Sequence, residues 1–356
     1  MTIKSINKKL PKVTICVPVR NGARTIQRTL DSLLNQDYPN CEIIVSDNCS
    51  DDDTAKIVSQ YSSNGVKYFF NPVLEKSGEA NWNHILTLAE GPLIALYHAD
   101  DIYTPTMVRL QVELLQEHPE ISAAFTMSMM IDEHNRLVRA GCLAMPAEYR
   151  GKTIYEFPDL FNAVLKHCTI TSVPTMMTRK SVLDKVGNFN WQRFCSAADI
   201  DLYFRMARIG PIGIIDEPLH HYRLSEQQWS AQIRRMRVEM ADFFRVLNDY
   251  LTRPEVVQIV DSDAFAYYEM NLAIDDVFCA MNLLVQGDTM KAQARLKESL
   301  EWRHFRTACR RPLRLARLIG GAGLLVMGSL GAGALAGRCF YWAYQLLYRW
   351  RRQCIT

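Results

Sequence analysis

The sequence places two adjacent carboxylates, Asp100 and Asp101, just after the short apolar run of residues 93–97. Like charges side by side repel each other and resist burial, so such a pair usually persists where a cation or solvent neutralises it. A hard divalent metal ion that also holds a diphosphate is the obvious partner. An acidic turn that caps the helix beginning near Thr104 is the alternative, and the pair alone leaves both interpretations open.

A second acidic pair, Asp199 and Asp201, falls in the first turn of a helix predicted to start after Ser196, with Ser196 as its N-cap. Acids at this position either complement the helix dipole or act in a cleft. Residues two apart on a helix point about 200° away from each other, so only one of the pair can face a reacting atom. Asp199 is the better candidate because it lies nearer the helix N-terminus, where a carboxylate is stabilised as the anion. Asp201 is expected to pair with Arg205 one turn on.

The elements that position these acids alternate between strand and helix. Buried strands are predicted at residues 13–19, 42–46, 66–70 and 93–97, and helical patterns separate them. Such alternation is typical of an α/β fold with a doubly wound, mostly parallel sheet. The polar turns at Arg20, Asp47 and His98 each follow a strand, so they should share the sheet edge where ligands bind. The first turn lacks a Gly-x-Gly-x-x-Gly pattern, which excludes a nicotinamide-type Rossmann site, and there is no P-loop.

Six segments in this order resemble the inverting family 2 glycosyltransferases of the GT-A fold, over roughly residues 12–223. Each segment alone is weak evidence, but six in the right order make the resemblance specific. The segments are residues 17–22, 45–52, 89–105, 179–189, 199–205 and 217–223.

The resemblance implies a donor site for a nucleotide sugar beside a divalent metal ion, Mn²⁺ or Mg²⁺. Asp47 would hydrogen-bond the base of the donor, which is typically uracil in this family. His98-Ala99-Asp100 occupies the metal-binding Asp-x-Asp position. The turn that would line the nucleotide pocket consists of Pro18, Val19, Arg20 and Asn21, and the residues assigned to the metal are Asp100, His98 and Asp101.

The resemblance also implies the catalytic base. Asp199 occupies its place, and one base with direct displacement of the nucleotide would invert the anomeric centre. His221 and Arg223 either lie in a polar loop or belong to a flexible segment that closes on the phosphates.

Two positions depart from the family pattern. His98 replaces the first Asp of the metal motif, and imidazole suits Mn²⁺ better than Mg²⁺. Ala198 replaces the Glu that usually precedes the base. Gln227 and Trp229 invite comparison with the Gln-x-x-Arg-Trp motif of processive synthases, but the spacing fails, which predicts a non-processive enzyme.

The resulting hypothesis is a metal-dependent, inverting, non-processive transfer of a sugar from a UDP-linked donor to a hydroxyl of a glycan or lipid-linked acceptor. Such a reaction belongs to bacterial surface-glycan or glycolipid assembly. Two alternatives stay open. One is a polyprenyl-phosphate sugar synthase, whose phosphate acceptor needs no strong base. The other is a catalytically silent transferase fold that serves as a membrane assembly partner.

Charge divides the chain unevenly. Ten Arg and no acid follow Glu301, which leaves 31 basic against 38 acidic residues in the chain up to and including Glu301. An acidic body argues against a nucleic-acid-binding surface, whereas an Arg-rich tail beside an apolar segment indicates anionic membrane lipid. Three regions are expected: a GT-A domain over residues 12–225, a helical region over 226–301 and a membrane-associating tail over 302–356.

Residues 318–337 form a run of twenty residues without a charge, the length that crosses a hydrocarbon core. Six Arg precede the run and no secretory signal opens the chain, which predicts a catalytic domain on the cytosolic face of the cytoplasmic membrane. A monotopic hairpin and a buried helix are the alternatives. Gly333 and Gly337 predict a close helix contact, and the region is also a candidate for homo-oligomerisation. Ten scattered Cys predict reduced thiols.

Overall fold

The computed structural model describes residues 10–75, 77–143, 145–225 and 236–351. Ten strands join into one sheet, and helices cover both of its faces. The strands are β1 Val13–Val19, β2 Cys41–Asn48, β3 Lys67–Asn71, β4 Leu93–Leu96, β5 Ile102–Tyr103, β6 Ala123–Ile131, β7 Leu137–Leu143, β8 Ile154–Tyr155, β9 Met176–Arg179 and β10 Ile212–Arg223.

Helices follow most of the strands and then make up the C-terminal third. They are α1 Ile26–Leu34, α2 Thr54–Ser59, α3 Gly78–Leu88, α4 Met107–Glu117, α5 Phe157–His167, α6 Lys180–Val186, α7 Trp191–Phe194, α8 Ala198–Ala207, α9 Asp242–Leu251, α10 Pro254–Val257, α11 Ser262–Gln286, α12 Thr289–Ser299, α13 Trp302–Ala308, α14 Pro312–Ser329 and α15 Gly333–Arg351.

The sheet order is β3-β2-β1-β4-β9-β6-β10-β5, and β7 and β8 pair at the side with β6 and β10. The first four strands of this order are parallel to one another, as the alternating pattern predicts. β9 runs antiparallel to both of its neighbours, so the sheet is mixed beyond β4. The predicted α/β class is confirmed, and the parallel half carries the three polar turns at one edge.

Two apolar clusters enclose the sheet. One joins β1 and β4 to α1 and α4, and the other joins the opposite face to α3, α5, α8 and α9. The amphipathic spacing of α1 explains its place, because Ile26, Leu30 and Leu33 form one buried stripe. Since strands buried on both faces read as continuous apolar runs, β1 is buried at every position.

The predicted membrane crossing is wrong. The uncharged run of residues 318–337 does not form one helix, because α14 ends at Ser329 and α15 begins at Gly333. Across the described ranges, no helix is both long enough and apolar enough to span a bilayer. The prediction of a cytoplasmic-membrane location rested on that crossing and is wrong with it.

Two glycines of this run, Gly321 and Gly337, allow close contacts within the chain. A Cβ on Gly321 would lie 2.5 Å from Val277 Cγ2, and one on Gly337 would lie 2.7 Å from Leu284 Cβ. Both partners belong to α11, so the glycines let α14 and α15 approach that helix closely. The predicted close helix contact at Gly337 is therefore present, with α11 as its partner.

Gly91 allows a similarly close approach where the chain enters β4. Its N–H donates to Thr14 Oγ1 at 2.9 Å, and a Cβ there would lie 2.7 Å from that oxygen and 3.0 Å from Lys12 O. The Thr14 hydroxyl is fixed in turn, since it donates to Glu42 Oε1 at 2.6 Å. The start of β4 thus depends on a residue without a side chain.

We expect Gly91→Ala to lower the free energy of unfolding by about 1–3 kcal/mol, because the new methyl group has to displace the backbone of β1. Denaturant unfolding measures the change. Gly323→Ala is the matched control, since no atom lies within 4 Å of the added Cβ in α14 and the change should be neutral or stabilising by up to about 1 kcal/mol. Equal stability losses in the two variants would contradict this account.

Candidate active site

The turns after β1 and β2 interlock through hydrogen bonds from backbone N–H groups to side-chain oxygens. Asn21, in the left-handed region at φ 53°, donates its N–H to Ser50 Oγ at 2.8 Å. Its side-chain oxygen accepts the N–H of Asp51 at 3.0 Å. Gly22 N–H donates to Thr54 Oγ1 at 2.9 Å. The predicted nucleotide-binding turn is thus held against the second strand's turn before any ligand binds.

The other residues of that predicted turn differ in exposure. Pro18 and Val19 are buried in β1, while Arg20 is exposed at the sheet edge. Val19 is paired in register with Asp47, so the ends of β1 and β2 lie side by side. Only Arg20 and Asn21 of the four present exposed surface there.

Asp47 lies at the predicted strand end but has no exposed surface. Its Oδ1 accepts the N–H of Ser50 at 2.8 Å, and its Oδ2 accepts the hydroxyl of Tyr68 at 2.8 Å. Burial, with the carboxylate beside it, raises the pKa of the Tyr68 phenol, which therefore stays a donor. A base that hydrogen-bonds to Asp47 has to replace or share the Tyr68 contact.

The turn after β4 brings together the three residues assigned to a metal. Each of His98, Asp100 and Asp101 offers one ligand atom, and these atoms lie within 4.8 Å of one another. His98 Nε2 is buried and has no hydrogen-bond partner in the described part of the chain. Burial lowers the pKa of His98 to about 4, so the ring is neutral near pH 7 and its one unprotonated nitrogen can donate an electron pair to a metal ion. A divalent ion fits this donor set.

Asp101 differs from Asp100 because it is fully buried and already bound on both oxygens. Its Oδ2 lies 2.9 Å from His220 Nε2, and its Oδ1 accepts the N–H of Arg223 at 2.8 Å. Burial raises the pKa of Asp101 to about 7, although Arg223 opposes the shift. Ser128 Oγ lies 2.8 Å from His220 Nδ1 and extends the chain of contacts into β6.

Arg223 is 2% exposed, and its guanidinium faces main-chain carbonyls. Nε donates to Asp100 O at 2.6 Å, and Nη1 donates to Asp132 O at 2.8 Å. Burial lowers the pKa of the guanidinium from its usual value. His221, beside it, is half-buried, and burial lowers its pKa also. The end of β10 therefore fixes the backbone of the Asp100 turn.

Asp199 lies in the first turn of α8, and its Oδ1 accepts the N–H of Ile200 at 2.8 Å. Burial, with the Glu79 carboxylate as a second cause, raises the pKa of Asp199 to about 7. The predicted N-cap is wrong, because Ser196 donates its hydroxyl to Asp242 Oδ2 at 2.7 Å and Ala197 precedes the helix.

Asp201 points into the protein, as expected for the second acid of the pair. It is 3% exposed, and its Oδ2 accepts Arg205 Nε at 2.8 Å. Its Oδ1 accepts the hydroxyl of Tyr250 at 3.1 Å, which ties α8 to α9. The structure confirms the expected pairing with Arg205.

The sequence predicts a helix at α3 but marks no functional residue on it, although its first turns lie near both candidate centres. Glu79 in its first turn is 5% exposed, and burial raises its pKa while its charge acts on Asp199. Trp82, one turn on, stacks on His98 with the ring centroids 5.3 Å apart. The local signal was Ser77, whose Oγ accepts the N–H of Ala80 and caps the helix. Nothing in the pattern marks Glu79 or Trp82 without their tertiary neighbours.

A cavity of about 330 Å³ lies at the opposite ends of β1 and β4 and is remote from these groups. It is lined by Pro11, Pro92, Leu93, Leu115, Gln116, Arg179, Lys180 and Ser181. The lining holds no acid or histidine, so general-base or metal chemistry has no groups to use there. We therefore assign the candidate site to the carboxyl ends of the strands, because the acids and histidines lie there and not in the cavity.

Comparisons with known proteins bear on the family and the fold of the chain. The family model described as Glycosyl transferase family 2 matches residues 14–187. The chondroitin synthase of Escherichia coli is 24% identical over 246 residues, which cover 69% of this chain but 33% of that protein. The chain spans between a third and a half of the first curated relatives that it matches.

Two solved structures share the fold at low identity. S. aureus TarS 1-349 in complex with UDP-GlcNAc gives a TM-score of 0.54 at 17% identity and covers 94% of this chain and 92% of that one. The mannosyltransferase PcManGT from Pyrobaculum calidifontis in complex with GDP-Man and Mn²⁺ gives a TM-score of 0.54 at 15% identity and covers 90% of this chain and 88% of that one. These likenesses show an α/β sheet of the GT-A type followed by a helical region.

We expect Glu79→Gln to lower the pKa of Asp199 from its value of about 7, because removing a nearby negative charge favours the ionised carboxylate. A ¹³C titration of the Asp199 carboxyl measures the shift directly. Glu90→Gln, an exposed change beyond the end of α3, is the control and should leave the titration where it is. An unchanged midpoint in Glu79→Gln would show that burial alone accounts for the raised pKa.

Proposed function

The chain belongs to glycosyltransferase family 2, and from that premise we propose that it moves a sugar from a UDP-linked donor to an acceptor hydroxyl, with inversion of the anomeric centre. One observation carries the proposal. The first two turns of α3 lie beside both centres, because Trp82 stacks on His98 and Glu79 is near enough for its charge to raise the pKa of Asp199. The metal-binding turn and the candidate base therefore flank the same helix end.

The nucleotide would bind over the interlocked turns after β1 and β2. Asn21 and Arg20 present the exposed surface there, with Pro18 and Val19 beneath them, and Asp47 would accept a hydrogen bond from the base. A hydrogen bond to a charged group contributes roughly 1.5–3 kcal/mol, enough to discriminate between bases. The Tyr68 hydroxyl, which now donates to Asp47, would have to share or release the carboxylate.

Asp100 and His98 would hold a divalent ion, Mn²⁺ or Mg²⁺, against the diphosphate. When bound, the ion acts as a Lewis acid that stabilises the charge developing on the leaving nucleoside diphosphate. Asp101 belongs to the sequence-assigned ligand set, but both of its oxygens already hold β10. We therefore assign Asp101 to positioning the turn, with Asp100 as the half-buried carboxylate ligand.

Arg223 and His221 would act on the phosphate side of the donor. The Arg223 guanidinium donates to the main-chain carbonyl of Asp100, so it orients the turn that meets the diphosphate. His221 follows His220 in β10 and pairs in register with Ile102. Both residues thus lie at the strand end next to the Asp100 turn.

Asp199 would take the proton from the acceptor hydroxyl as that oxygen attacks the anomeric carbon. A pKa of about 7 suits a general base that works near neutral pH, because the carboxylate is both present and basic. Ala198, where the family carries Glu, is fully buried and offers no charge to the acceptor. Glu79 is a carboxylate whose charge acts on Asp199, and it would supply the second acidic group on this side.

The biological setting is proposed from the relatives. The E. coli relative is named for the synthesis of chondroitin, a polysaccharide. A Campylobacter jejuni relative, 34% identical over 94 residues, is named for glucosyl transfer to an undecaprenol-linked glycan. We propose surface-glycan or glycolipid assembly with a glycan or lipid-linked acceptor. The Gln227–Trp229 segment, on which the non-processive prediction rests, lies outside the described residues. Residues 12–225 would form the catalytic domain, 226–301 a helical region and 302–356 a C-terminal tail.

Replacing the base tests the proposal. Asp199→Asn should lower kcat by about 10²–10⁴ while donor Kd stays unchanged, because a positioned base contributes that much to proton transfer. Asp201→Asn is the matched control, since its carboxylate binds Arg205 and Tyr250, and it should lower stability with kcat retained. Steady-state transfer from UDP-sugars and calorimetric donor binding give both numbers.

The Asp199→Asn variant also distinguishes a hydroxyl acceptor from a phosphate acceptor. A phosphate acceptor, as in polyprenyl-phosphate sugar synthases, needs no strong base, so activity that survives in Asp199→Asn would favour that reaction. A large kcat loss confined to Asp201→Asn would show that the helix presents the other acid. NMR of the first-formed product should show the anomeric configuration opposite to that of the donor.

A further inference from the structure

Trp82 and His98 form a stacked ring pair at the edge of the proposed donor site. Their centroids lie 5.3 Å apart, and the ring planes make an angle of 29°. His98 is the residue that stands where the family carries an aspartate. An aspartate at this position could not stack, so the contact exists only because the ligand is an imidazole.

Trp82 is itself held in place from the other side. The Phe189 ring meets Trp82 edge-on at 5.1 Å and 67°. Phe189 is fixed by two hydrogen bonds to the next residue of α3, since its N–H donates to Asn83 Oδ1 at 2.9 Å and its carbonyl accepts Asn83 Nδ2 at 2.8 Å. The indole is thus a rigid face and not a mobile surface side chain.

The backbone of His98 is equally fixed. The Tyr103 hydroxyl accepts the N–H of His98 at 2.6 Å and donates to its carbonyl at 3.2 Å. Tyr103 is 2% exposed and stacks on Tyr97. Because the main chain is held there, the contact with Trp82 restricts the remaining motion of His98, which is the rotation of its side chain.

The His98 ring still has a nitrogen without a described partner. Nε2 is buried and unpaired within the described ranges, and a ring nitrogen belongs to the group of ligand atoms within 4.8 Å of one another at this turn. A buried nitrogen with no partner costs free energy in the free protein, and a metal ion would satisfy it. The neighbouring residues supply a carboxylate oxygen from Asp100 for the same ion.

We propose that Trp82 is a positioning residue that holds the His98 imidazole as a nitrogen ligand, which makes the site select Mn²⁺ over Mg²⁺. Nitrogen ligands suit Mn²⁺ and later ions, whereas Mg²⁺ binds oxygen ligands in a strict octahedral geometry. Groups that orient a ligating histidine typically change metal affinity about 10–100-fold when removed. Trp82 orients the histidine by ring stacking, whereas other metal sites orient theirs by a hydrogen bond. The inference rests on the proposed function, because it needs the ion to bind at Asp100.

The test measures metal binding and does not depend on transfer. Mn²⁺ is titrated into the full chain with UDP present, and Mg²⁺ is titrated in parallel. Electron spin-echo modulation of the bound Mn²⁺ reports whether an imidazole nitrogen is a ligand. The variants are Trp82→Leu, and Trp82→Met as a second substitution that removes the ring while filling apolar volume. Trp302→Leu is the control for losing a tryptophan, since Trp302 is 80% exposed in α13.

We expect the wild type to show nitrogen modulation and to bind Mn²⁺ more tightly than Mg²⁺. Removing the Trp82 ring should weaken Mn²⁺ binding about tenfold or more and reduce the modulation, with Mg²⁺ affinity little changed. His98→Asp should abolish the modulation and the Mn²⁺ preference. In that background Trp82→Leu or Trp82→Met should have no further effect on the Mn²⁺ to Mg²⁺ ratio, because an aspartate does not depend on the stack.

Three results would contradict three different parts of this account. Full modulation and unchanged Mn²⁺ affinity in both ring-less variants would overturn the role of Trp82. Mn²⁺ binding to the wild type without nitrogen modulation would overturn His98 as a ligand and leave the proposed transferase function standing. No metal-dependent UDP binding by the wild type would contradict the proposed function itself.

Discussion

The buried carboxylate of Asp101 is the contact on which the geometry of the site depends. It joins the turn after β4 to the end of β10 through His220 Nε2 and the N–H of Arg223. A charged group with no exposed surface is costly unless its oxygens are satisfied, so the two elements are locked together. Asp100, the next residue toward β4, is thereby fixed at the sheet edge, and Arg223 closes the arrangement by binding its carbonyl.

A second group of contacts links this fixed turn to the base. Helix α3 places Trp82 against His98 and Glu79 near Asp199, while Asp201 holds α8 to α9 through Tyr250. The two carboxyl groups of each acid pair therefore have different roles. One member is buried and positions neighbouring elements, and the other is the acid that we assign to the chemistry. The same division appears at both ends of the site, with Asp101 and Asp201 as the buried members.

Sequence patterns predicted what depends on local periodicity and failed where distant residues decide. The apolar runs gave the parallel strands and hence the edge that carries Asn21, Asp47 and Asp100. They could not separate Asp101 from Asp100, because the partner of Asp101 is His220, 119 positions along the chain. The Ser196 cap failed because Asp242 takes its hydroxyl. The uncharged run of residues 318–337 resembled a membrane span, but Gly321 and Gly337 in it pack against α11.

The central claim is that Asp100 binds the ion that holds the donor diphosphate. Calorimetric titration of UDP with and without Mn²⁺, on the wild type and on Asp100→Asn, tests it most directly. We predict that Mn²⁺ strengthens UDP binding to the wild type and that Asp100→Asn loses this enhancement while keeping its metal-free affinity and its fold. An Asp100→Asn variant in which Mn²⁺ strengthens UDP binding as much as in the wild type would contradict the account.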